Sequence, residues 1–133
     1  EEEFWSSGKE FALMRKFINK DSIVLDVGCG MGRIERYLAP YCKEIFAVDV
    51  SAGMIKLAKK HVKNENVHFI KNNGKDLQIF ENNQFDFIFS ILTLQHMEKE
   101  DAYIYLEEMY RVLKPKGKIY LQFPNFLSDK VFK

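Results

Sequence analysis

Three closely spaced glycines and two carboxylates are the residues here whose types and spacing suit chemistry. The stretch Val24-Leu25-Asp26-Val27-Gly28-Cys29-Gly30-Met31-Gly32-Arg33 reads as a buried strand that runs through glycines into a helix. Glycines at alternate positions let the backbone approach a bound ligand, where a Cβ would fill the ligand's space or forbid the turn. Nineteen residues beyond Gly30, the next apolar run Ala47-Val48-Asp49 ends on an acid. A carboxylate at that strand end is placed to accept both hydroxyl hydrogens of a ribose. Asp26 stands two residues before the first glycine, and a buried carboxylate without a partner is costly.

The spacing separates two ligand classes. Dinucleotide sites use GxGxxG, with a helix N-terminus facing a pyrophosphate. These glycines read GxGxG, and an acid at position 26 repels phosphate while suiting a ligand that carries an ammonium and a sulfonium. S-adenosylmethionine has both.

The elements that must position these groups follow from periodicity. Short runs rich in Val, Ile and Phe, at 23–27, 45–50, 67–70, 85–91 and 118–123, alternate with segments of helical spacing. Ile34, Tyr37, Leu38 and Tyr41 make one stripe of a helix over 31–41. Met54, Leu57, Ala58 and His61 or Val62 repeat it after Ser51, a natural N-cap, and Ile104, Leu106, Met109, Tyr110 and Leu113 do so between Asp101 and Pro115. Strands that read as continuous apolar runs are buried on both faces, and strand-helix-strand units cross over right-handed. The expected fold is α/β: a doubly wound, mostly parallel Rossmann-like sheet with helices on both faces. A further helix over about 7–18, with Phe11, Met14, Phe17 and Ile18 on its apolar side, precedes a core at 22–123.

Composition narrows the function classes. The 133 residues carry 20 Lys+Arg against 19 Asp+Glu, a net charge of +1, so no large field of one sign argues for nucleic acid or an anionic membrane. Two cysteines, Cys29 and Cys42, make neither a disulfide framework nor a zinc spacing, and a reducing, cytoplasmic setting is expected. The longest apolar runs are about half of the ~20 residues that a spanning helix needs. With no repeat and no linker, the chain reads as one domain over 1–133.

On these motifs the chain resembles the class I S-adenosylmethionine-dependent methyltransferases, of the subgroup that acts on small molecules. Ile70-Lys71-Asn72-Asn73-Gly74-Lys75-Asp76-Leu77 resembles the family segment after the third strand, Phe85-Asp86-Phe87-Ile88-Phe89-Ser90 its fourth strand, and Arg111-Val112-Leu113-Lys114-Pro115-Lys116-Gly117 the turn into its fifth. The resemblance implies that Gly28, Gly30 and Gly32 lie under the methionine and ribose, that Asp26 holds the amino group and that Asp49 holds the ribose. Val50 and Met54 would flank the adenine. Asn73 stands where the family usually has an acid and would offer the adenine amino group a carbonyl acceptor. Gly74 and Ser90 complete the implied cofactor positions, with S-adenosylhomocysteine as product and no metal.

His96, after the fourth strand, could accept a proton from a hydroxyl or amine acceptor, or could serve to order the loop. An activated sulfonium needs no base, because positioning and desolvation suffice for in-line displacement. No Asn- or Asp-Pro-Pro-Tyr/Phe motif, glutamate pair or magnesium-binding acidic cluster follows the fourth strand, which leaves a small-molecule methyl acceptor and no nucleic acid or membrane partner. The family fold continues past the fifth strand, so the sequence predicts a fold truncated there, without the acceptor-side C-terminal strands. The apolar fifth-strand edge would then support a homo-oligomer or be covered by the tail 125–133. The other readings are a non-catalytic module that binds S-adenosylmethionine or works through partners, and a nicotinamide-dependent oxidoreductase.

Overall fold

The computed structural model describes residues 14–91 and 97–122. Within them the order is β1 (Ile23–Val27), α1 (Glu35–Leu38) with a 3-10 turn (Ala39–Tyr41), β2 (Glu44–Asp49), α2 (Ala52–His61), β3 (Val67–Lys71), β4 (Phe85–Ile91), α3 (Lys99–Val112) and β5 (Leu113–Gln122). The sheet order is β3-β2-β1-β4-β5, and every pairing is parallel. The chain works outward from β1 to β3 and then returns to the other side of β1. Such a reversal opens a crevice at the carboxyl ends of the strands, which is where the glycines and Asp49 fall.

β1 and β4 are buried along most of their length, as their largely apolar runs require. Alternation of side chains sorts the core into two layers. Val24, Ile45, Phe87 and Phe89 face one side with Met14, Ile34 and Leu38, and Ala47 and Phe69 extend that side under α2. Leu25, Val27, Val48, Phe85 and Ile88 face the other, under Tyr105, Met109 and Val112 of α3. The expected doubly covered parallel sheet is present.

Several expectations shift. The helix read over 31–41 is confined to Glu35–Leu38 and continued by a 3-10 turn, because Gly30 and Gly32 hold positive φ just upstream and Pro40 enters the 3-10 turn. Ser51 caps α2 as expected, its hydroxyl accepting from the Met54 N–H at 3.1 Å, but the buried stripe is Ile55, Ala58 and Val62, with Met54 and Leu57 outside. On α3 the buried face is Tyr105, Met109 and Val112, while Ile104, Leu106 and Tyr110 are exposed and Leu113 already belongs to β5.

Polar tethers fix the phase of α3. Arg111 donates to the Leu77 carbonyl at 2.9 Å and the Phe80 carbonyl at 3.2 Å, and Glu108 accepts the Leu77 N–H at 2.9 Å. These bonds satisfy backbone groups of the helix-free segment between β3 and β4 and pull Leu77 and Phe80 onto the core. β5 begins at Leu113 rather than near 118, with a register irregularity opposite Phe85 and Phe87. Of the helix expected over 7–18, the part before Met14 lies outside the described residues. Met14 is fully buried, and Phe17 stacks on Phe87 with ring centroids 5.7 Å apart. The tail 125–133 also lies outside them. No helix among the described residues is long and apolar enough to cross a membrane.

Candidate functional site

A cleft of about 680 Å³ opens over the carboxyl ends of β1, β2 and β3, closed on its far side by the start of α3. Of the sequence-predicted positions, Gly28, Asp49, Val50, Asn73 and Gly74 line it. Val27, Asn72, Met97, Glu98, Asp101 and Tyr105 join them, and sequence reasoning had assigned none of these to a site.

Asp49 is held by the glycine loop itself. Its Oδ2 accepts the Gly30 N–H at 2.8 Å and its Oδ1 accepts the Ser51 N–H at 2.9 Å. A carboxylate has about four acceptor positions, so both oxygens keep capacity toward the cleft after orienting the side chain. The 19-residue spacing between glycine and acid is thus a direct contact.

The three glycines do different work. Gly28 and Cys29 both donate to the Val48 carbonyl, at 2.8 and 2.9 Å, pinning the loop to β2. Gly30, at φ +57°, has open space where a Cβ would stand. A Cβ on Gly32, at φ +84°, would lie 2.9 Å from Phe69 and 2.9 Å from Val62. Gly32 therefore has a packing duty: it lets the loop sit on α2 and β3.

Two other expected positions have structural duties, and a third, Met54, does not line the cleft. Ser90 donates to the Val27 carbonyl at 2.8 Å and ties β4 to β1 within the core. The Asn73 carbonyl oxygen, expected to meet a ligand amino group, accepts the Lys75 and Asp76 N–H groups at 2.8 and 3.1 Å. Both lone pairs are spent on its own turn. His96 lies outside the described residues.

Asp26 is 4% exposed and lies against Glu35, which is fully buried. Counted as ionised acceptors, the Glu35 oxygens have no hydrogen-bond donor; protonated, one carboxyl donates to the other. Burial, and then the neighbouring Glu35, push the Asp26 carboxyl well above the ordinary carboxylate range, and burial raises Glu35 too. Folding therefore strengthens proton binding. The associated stability is fully present below the unfolded carboxyl pKa of about 4 and is lost as pH rises through the raised folded values. Glu35→Gln replaces the shared proton with a fixed amide donor. Urea melts at about pH 8 are expected to show the variant about 1 to 3 kcal/mol more stable than the parent, with a flatter fall from about pH 5. Identical slopes in the two proteins would contradict a shared proton. Burial also pushes the Cys29 thiol far up, so Cys29 packs and does not react.

The charge of the cleft decides which ligand it suits. Asp49, Glu98 and Asp101 line it, and no described lining residue is basic. Such a surface fits a cationic ligand and opposes a pyrophosphate. The profile of the methyltransferase-domain family matches residues 25–121, from β1 through β5. The chain belongs to the class I S-adenosylmethionine-dependent methyltransferase family.

Within that family it is 35% identical over 112 residues to the malonyl-[acyl-carrier protein] O-methyltransferase of Priestia megaterium, across 80% of this chain and 38% of that protein. It is 33% identical over 95 residues to the cyclopropane-fatty-acyl-phospholipid synthase of Escherichia coli, across 71% of this chain and 24% of the relative. Among solved structures, the PH0226 protein of Pyrococcus horikoshii superposes with a TM-score of 0.78 at 29% identity, covering 96% of this chain and 64% of that one. The methyltransferase chain therefore spans well under half the length of these two curated relatives.

Proposed function

We propose that this methyltransferase domain binds S-adenosylmethionine in the cleft over β1 to β3 and supports methyl transfer to a small-molecule acceptor by in-line displacement. The observation that carries the reading is an acidic cleft with no basic residue among its described lining, in which Asp49 is oriented by the N–H of the glycine loop. The residues fit the cofactor: Asp49 keeps acceptor capacity for ribose hydroxyls, Gly30 leaves open space beside the loop, and Val27, Val50 and Met97 supply apolar wall. When bound, the cofactor supplies a methyl group already activated on a sulfonium.

Each further step belongs to the protein. Asp49 fixes the ribose, the apolar wall excludes water, and Glu98 and Asp101 favour positive charge in the cleft. Holding the acceptor in line about 3 Å from the methyl supplies the acceleration by orientation. His96 as the acceptor's base is part of this proposal, tested by His96→Ala, with a turnover loss of about 10²-fold expected at unchanged cofactor affinity. The similarity to a malonyl-[acyl-carrier protein] O-methyltransferase and a cyclopropane-fatty-acyl-phospholipid synthase supports an organic acceptor.

Titration calorimetry with S-adenosylhomocysteine and with NAD tests the cofactor reading. Binding of the first at micromolar concentration or below, with none of the second, is expected. NAD binding without S-adenosylhomocysteine binding would overturn it.

A further inference from the structure

The cleft contains a polar pair that neither the family motifs nor the methyl-transfer reading assigns. Asn72 directly follows β3, is 6% exposed, and donates from its side-chain amide to the Tyr105 hydroxyl oxygen at 2.8 Å, across 33 residues of sequence. Its backbone N–H donates to the Asp49 carbonyl at 3.0 Å. The pair is therefore tied to the residue proposed to hold the ribose. Both residues line the cleft, together with Val50, Gly74 and Asp101.

A phenol hydroxyl has one hydrogen and two acceptor positions. In Tyr105 the oxygen accepts from Asn72, so the hydrogen remains to be donated, and no described residue takes it. Tyr105 is 2% exposed, and a buried O–H without an acceptor is costly. The cleft that Tyr105 lines is the side left open to that hydrogen. Burial and the nearby Asp76, Asp101 and Asp49 also hold the phenol in its protonated form. Meanwhile Asn73, the neighbour expected to read the base, has its carbonyl saturated within its own turn.

We propose that the Tyr105 hydroxyl, oriented by Asn72, donates a hydrogen bond to a ring nitrogen of the cofactor's adenine. The inference rests on the cofactor reading above. Beyond a ribose held by Asp49, the wall made by Val50, Gly74, Asn72 and Tyr105 is where the base has to lie, and a neutral purine offers ring nitrogens as acceptors. Recognition of the base thus passes from the loop after β3 to a bridge between β3 and α3.

The test is calorimetry of the parent chain, Tyr105→Phe and Asn72→Asp against S-adenosylhomocysteine and its 1-deaza, 3-deaza and 7-deaza analogues. Phenylalanine keeps the ring's volume. Aspartate at 72 turns the partner into an acceptor that draws the hydroxyl hydrogen away from the cleft, and thermal melts show whether each variant folds. Both variants are expected to bind S-adenosylhomocysteine about 3- to 10-fold more weakly than the parent. For one of the three analogues, the one lacking the contacted nitrogen, parent and Tyr105→Phe should bind alike. An equal loss against all four ligands, or no loss, would overturn the role of Tyr105 and leave the cofactor reading standing. A parent chain that binds none of the four would overturn both.

Discussion

Asp49→Ala is expected to weaken S-adenosylhomocysteine binding by about 100-fold, or about 3 kcal/mol. The substitution acts twice. It removes the charged acceptor proposed for the ribose hydroxyls, and it also releases the Gly30 and Ser51 N–H groups that the carboxylate holds at 2.8 and 2.9 Å. The freed Gly30 N–H then has no fixed direction in the loop under the ligand. Asp49→Asn should recover little, because an amide places an acceptor toward one of these N–H groups and a donor toward the other. Calorimetric titration of the three proteins checks this, with thermal melts to confirm folding. An alanine variant that binds as the parent does would take Asp49 out of the site.

The legibility of this chain follows the strength of its local patterns. β1 and β4 are readable to the residue because strands buried on both faces read as apolar runs dense enough to stand out despite Asp26, Asp86 and Ser90 within them. The acid at 49 and the glycines around 30 are readable because both their types and their spacing are unusual. Helix phase is a different matter. α3 carries two apolar stripes: Tyr103, Ile104, Leu106 and Tyr110 on one side, Tyr105, Met109 and Val112 on the other. Periodicity cannot rank them, and the choice is made by Arg111 and Glu108 gripping the segment around Leu77.

The same limit explains which site residues escaped sequence reading. Asn72 and Asn73 are adjacent and chemically identical, so only the direction of each side chain separates a member of the cleft pair from a turn residue. Glu35 sits among residues that read as an amphipathic helix, where a glutamate ordinarily faces water. Its burial beside Asp26 depends on the loop turning tightly through Gly30 and Gly32, which shortens the helix and rotates position 35 inward. A carboxylate in the β1 run is a visible anomaly, whereas its partner nine residues on is visible only in three dimensions.

Gly32 and Gly30 should separate under the same substitution. Gly32→Ala forces a Cβ into a left-handed conformation, which costs about 1 to 2 kcal/mol. That Cβ also lies 2.9 Å from both Phe69 and Val62, which are buried and cannot swing aside, and such overpacking costs roughly another 1 to 3 kcal/mol. A total loss of about 2 to 5 kcal/mol is expected in denaturant melts, a large part of a small domain's stability. Gly30→Ala meets nothing within 4 Å, so its stability cost is confined to the left-handed backbone, about 1 to 2 kcal/mol. Its effect should appear instead in binding, with S-adenosylhomocysteine affinity lowered about 10-fold or more as the methyl group enters space that the proposed ligand needs. If the two variants lose equal stability, the division between a packing glycine and a ligand-facing one fails. If Gly30→Ala binds as the parent does, the open space beside it is not the cofactor's.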